Sequence, residues 1–147
     1  MTDLKLLALD QDDLEVVSAA TQDAVLRVGD MGFARADRRF ALLMNRFAWE
    51  AGDARGRGQR KRAALRFDRV ESVKVSGIDT NARDGVLSLL AIVYAETNPP
   101  SGVVELRFAG GGTVRLGVEV LEARLEDLGA AWTARGIPSH DLDEAKA

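Results

Sequence analysis

The chain has no cysteine and a single histidine, His140, among its 147 residues. Without a thiol there is no disulfide, no thiolate nucleophile and no sulfur ligand for a metal, which fits a reducing compartment. His140 lies beyond Gly136 and Pro138, which stop any preceding helix, so it reads as a solvated tail residue rather than an acid–base group. A Ser-His-Asp or Cys-His arrangement would need it folded back into a pocket, and no Gly-x-Ser-x-Gly elbow occurs. The longest apolar run, residues 86–95, falls far short of the ~20 residues a bilayer-spanning helix needs. Met1-Thr2-Asp3-Leu4-Lys5 offers no basic stretch leading into an apolar core, so no secretory leader is expected. A soluble cytoplasmic protein without membrane contact, cofactor or enzymatic activity is the expectation.

What is present is enough apolar material, 46% of residues, for one core. One domain over 1–138 is expected, with 139–147 as a disordered acidic tail. The clearest local pattern is at 103–118. Val104, Leu106 and Phe108 alternate with polar neighbours, and after Gly110-Gly111-Gly112 so do Val114, Leu116 and Val118. Two period-two runs joined by glycines predict a β-hairpin. The glycines are not a phosphate loop, because a strand and not a helix follows them. Leu121, Leu125, Leu128 and Trp132 then fall at i, i+4, i+7 and i+11, which predicts an amphipathic helix lying across the sheet.

Earlier in the chain, Asp10 is a helix N-cap with Asp12, Asp13 and Glu15 behind it, predicting a short helix over 11–22. These carboxylates serve a helix start and need no metal to explain them. Strands are expected over 25–34 and 39–49, with a turn at 35–38 and a bend at Gly29 or Gly32. A further strand through Leu65 and Phe67 bends near Asp68-Arg69 into another that ends at Gly77. Residues 79–85 are turn chemistry, and Leu90 stands where a calcium loop would need its bidentate carboxylate. Residues 86–94 are apolar on both faces, so both faces need cover.

The sum is an α+β, β-dominant fold. It is a curved antiparallel sheet or partly open barrel of seven to eight strands, capped by a C-terminal helix and preceded by a short N-terminal one. This order resembles the pleckstrin-homology-like superfold. The stretch from Leu65-Arg66-Phe67 to Val73-Lys74-Val75 is similar to the strand–bend–strand of its bacterial members. Phe40-Ala41-Leu42-Leu43-Met44-Asn45-Arg46-Phe47, Val86-Leu87-Ser88-Leu89-Leu90 and Phe108-Ala109-Gly110-Gly111-Gly112 resemble a family of short alphaproteobacterial proteins known as a domain of unknown function. That resemblance brings no activity, ligand or catalytic residue with it, and fold alone assigns none.

Two features carry functional weight. Residues 51–69 hold seven basic against two acidic residues, a net of +5, which leaves −8 for the rest of a chain whose total is −3. Arg55, Arg57, Arg60, Lys61 and Arg62 could clamp phosphates, although no aromatic is interleaved among them to stack bases. A solvated loop is the plainer reading. Leu87, Leu89 and Val93 form an apolar face that either the N-terminal helix or a second copy of the chain would cover. The reading is a protein- or peptide-interaction module offering a groove or sheet edge, with homodimerisation in view; the alternative is an anion- or nucleic-acid-binding protein acting through the basic segment.

Overall fold

The computed structural model describes residues 3–48 and 60–129. Its elements are β1 (Lys5–Ala8), α1 (Gln11–Ala20), β2 (Val25–Arg27), β3 (Met31–Ala34), β4 (Arg39–Phe47), β5 (Arg60–Phe67), β6 (Val70–Ser76), β7 (Val86–Glu96), β8 (Gly102–Phe108), β9 (Thr113–Val118) and β10 (Ala123–Asp127). All ten strands join one antiparallel sheet in the order β1-β10-β5-β4-β2-β7-β8-β9-β6, with β3 attached to β4 beside β2. It is an open sheet, with β1 and β6 at its two ends. Leu42, Leu65 and Leu125 from one half share a single core with Leu89, Leu106 and Leu116 from the other.

Local chemistry accounts for most of the turns. Asp10 caps α1 by accepting the Asp13 amide at 2.8 Å, and Leu14 and Val17 are the helix residues that reach the core. The chain bends between β2 and β3 through a 3₁₀ turn at Val28–Asp30, and Arg38 takes the left-handed conformation before β4. The β8–β9 turn requires its glycines: Gly110 and Gly111 both have positive φ, 89° and 95°.

Three expectations need correction. Among the described residues the strands number ten, not seven or eight, and of the two expected forms the sheet is the open one rather than a partly open barrel. The helix expected from Leu121 does not form there. Ala123–Asp127 is instead β10, hydrogen-bonded between β1 and β5. Leu121, Ala123, Leu125 and Asp127 are all buried, a period of two, whereas Leu128 is only partly so. Trp132 lies outside the described residues, and with the capping helix goes the pleckstrin-like arrangement built on it.

One buried ion pair ties the halves of the chain together. Arg46 on β4 donates from Nε and Nη2 to the two Asp127 carboxylate oxygens, both at 2.8 Å, with the side chains 0% and 1% exposed. Asp127 also accepts the Leu4 amide at 2.8 Å. Burial pushes the Asp127 carboxyl up, but the hydrogen bonds from Arg46 and Leu4, with the charges of Arg46 and Lys61, outweigh it and hold the group below its ordinary value.

Candidate binding cleft

Besides β1 at the end of the sheet, two strands keep one edge unpaired among the described residues: β3 pairs only with β4, and β6 only with β9. They lie on opposite sides of one cleft. At one end the Val70 amide donates to the Arg38 carbonyl at 2.9 Å. At the other end the 79–85 turn closes in, with the Gly29 and Val28 amides donating to the Arg83 and Gly85 carbonyls, each at 2.8 Å. Between them is a cavity of about 170 Å³. Met31 and Phe33 of β3, Phe40 of β4, Val73 and Val75 of β6 and Val114 of β9 form its apolar walls. Thr80, Asn81 and Arg83 supply its polar side, and among the described residues Arg83 is the one charged residue that lines it.

The backbone of β6 adds directionality. In the β8–β9 turn the Phe108 amide donates to the Gly112 carbonyl at 2.9 Å. Antiparallel alternation then points the peptide groups of Val114 and Leu116 toward β8, and those of Thr113 and Arg115 toward β6. Their partners Ser76 and Lys74 complete the β6–β9 ladder. Val73 and Val75, at the intervening positions, therefore turn N–H and C=O away from β9, to the open side, while their side chains face the cavity.

The residues singled out from sequence lie elsewhere. Arg55 and Arg57 fall outside the described residues, as does His140. Arg60, Lys61 and Arg62 begin β5 and are engaged locally. Arg60 stacks 3.9 Å from the centroid of the Phe47 ring, Lys61 reaches Asp3 at 3.4 Å, and Arg62 reaches the Asn45 side chain at 3.5 Å. Further along β5, Arg66 shares Asp68 with Arg39, each at 3.1 Å. The apolar trio does not share one face: Leu89 is fully buried in the core, Leu87 is partly buried against it, and Val93 is half-buried. The cause is a β-bulge at Leu90, which reverses the inward face along β7. Leu89 and Ile92 both point inward and Leu90 is 46% exposed. The N-terminal helix covers β7 from the core side, and Ser18 Oγ accepts the Ile92 amide at 2.9 Å.

A second, polar depression lies where Asp10, Asp12 and Glu96 meet Tyr94. Burial, and then the Glu96 carboxylate, push the Tyr94 hydroxyl above its ordinary value. That hydroxyl donates to the Pro100 carbonyl at 3.3 Å.

Sequence reading missed the cleft because its walls come from five separate segments. One signal was available: β6 carries Glu71, Ser72, Lys74 and Ser76 between its valines, the composition of an edge strand.

The fold and site define a class: an open antiparallel β-sheet domain with an apolar cleft between two unpaired strand edges. Among the described residues it has no cluster of three metal-ligating side chains and no helix long and apolar enough to cross a membrane. The chain belongs to the family described as protein of unknown function DUF2948, whose sequence model matches residues 4–140 and so spans every strand described above. No curated protein and no solved structure matches the chain.

Proposed function

We propose that the chain is a non-enzymatic, cytoplasmic interaction module that takes an apolar group of a protein partner into the β3–β6 cleft. The observation that supports this most directly is the cavity itself: apolar walls open to solvent, with a few polar groups gathered on one side, are the usual make-up of a binding site. Val75, 38% exposed, sits where a ligand would enter. The thin catalytic inventory supports a binding role over a chemical one, and the absence of cysteine suits a cytoplasmic setting.

Anilinonaphthalene sulfonate, an apolar ring system with one anionic end, is a suitable probe for the cavity and Arg83. Titrated into the isotope-labelled full chain, it should shift the methyl signals of Val73, Val75 and Val114 saturably. Val75→Trp, which fills the mouth, should weaken binding at least 10-fold. Shifts that never saturate, or that are unchanged in Val75→Trp, would remove the cleft as the site.

A further inference from the structure

We propose that the cleft's occupant is an extended peptide segment that adds a strand to the free edge of β6, with apolar residues directed inward alternating with acidic residues directed outward. This rests on the cleft being the binding site and goes on to specify what the cleft binds. Three observations combine. Val73 and Val75 present N–H and C=O to the open side at a two-residue spacing, the repeat a paired strand reads. The same two residues send their side chains into the cavity, so a strand docked there would place every second side chain beside them. Backbone pairing then supplies affinity and the cavity supplies selection, which is how sheet-edge peptide recognition works.

Charge fixes the rest of the sequence preference. Among the described residues no aspartate or glutamate lines the cavity, and Arg83 does. Lys74 projects from the opposite face of β6, between the two valines, and makes no ion pair within the described residues. Arg35 extends over the Phe33 ring at 5.3 Å from its centroid, on the β3 side of the cleft. A carboxylate on the docked strand's outer face would stand beside Lys74 as an opposite-charge cross-strand neighbour. The occupant is therefore an acidic–apolar alternating peptide rather than a basic one.

The test begins with a displayed library of random heptapeptides, selected on the full chain in competition with excess Val75→Trp protein. The peptide most strongly enriched is then synthesised with single backbone N-methyl groups at each position. Enriched sequences should alternate apolar with Asp or Glu. N-methylation should weaken binding about 10-fold or more at every second residue and little at those between. The Val73 and Val75 amides should gain protection from hydrogen exchange on binding. Val75→Pro removes one outward donor and leaves the β9 ladder intact, and should weaken the peptide by a similar factor. The N-methyl series keeps the test decisive if that variant folds poorly. Peptides that bind without the alternating N-methyl pattern or the amide protection overturn strand pairing. So does an unenriched library when anilinonaphthalene sulfonate still binds the cavity; in both cases the cleft survives as the site. Failure of that probe overturns the cleft itself.

Discussion

At the scale of single residues, the strongest demand on this fold is the Arg46–Asp127 pair. Two charges with almost no exposure are tolerated because each is hydrogen-bonded, Asp127 by the guanidinium and by the Leu4 amide. Removing one partner strands the other charge, so Asp127→Asn should cost about 3–5 kcal/mol in urea unfolding. The double change Arg46→Met with Asp127→Leu leaves no unpaired charge, only the part-buried Leu4 amide without its acceptor, and should cost less than either single change. The pair also sets a pH dependence. Asp127 in the folded chain ionises below its unfolded value of about 4. Its stabilisation is therefore complete above that value and is lost as pH falls through the lower, folded one. The acid limb of the stability curve should flatten in Asp127→Asn; an unchanged limb would show that other carboxylates govern acid unfolding. Nothing local marks this pair in the sequence, since its members are 81 positions apart and Asp127 sits in a stretch whose spacing favoured a helix.

At the scale of elements, that stretch shows why periodicity can mislead. Positions 121 and 125 share a face in a helix, but they also share one in a strand, because four is a multiple of two as well as close to 3.6. Leu128 completed the helical pattern by chance, while the residues that carry the strand pattern were a small Ala123 and a charged Asp127. Neither looks like core, yet both are buried. The β7 bulge misled in the same way: a single extra residue, Leu90, put Val93 on the face opposite Leu89, although alternation groups the two. Where alternation ran unbroken, as in β8 and β9, the strands and their turn were legible from sequence. Ala123 separates the two possibilities for 121–128. It is 1% exposed, opposite Ala8 on one side and Phe67 on the other. Ala123→Glu should therefore cost about 3–5 kcal/mol by burying an unpaired charge. Arg124→Glu on the outward face should change stability by no more than about 0.5 kcal/mol. Were 121–128 a surface helix, position 123 would lie off its leucine stripe and both changes would be mild.

At the scale of the whole molecule, the charge split and the topology point to different ends of the sheet. The sequence places its positive charge at 51–69, and the described cations of that segment sit on β5, beside β4 and β10, except Arg69, which lies in the bend before β6 and pairs with Glu119 at 2.7 Å. The cleft lies against β6, the terminal strand on the other side of the path. Strand order of this kind has no local signature, because β10 takes its place between β1 and β5 through pairings more than 50 residues apart. A charge count therefore marked the basic segment and left the cleft unmarked. The basic segment's cations are also largely spent on Phe47, Asp3, Asn45 and Asp68. Phosphate binding would have to break those contacts, whereas the cleft's edge amides have none to break. The two functional readings consequently diverge in one variant. Arg60→Ser with Arg62→Ser should leave anilinonaphthalene sulfonate binding in the cleft within twofold of the parent chain. The parent chain itself should cause no mobility shift of a short DNA or RNA at either about 50 or about 200 mM salt, the range over which phosphate contacts lose most of their affinity. A shift that appears at the lower salt, fades at the higher and disappears in the double variant would transfer the function to the basic strand and away from the β3–β6 cleft.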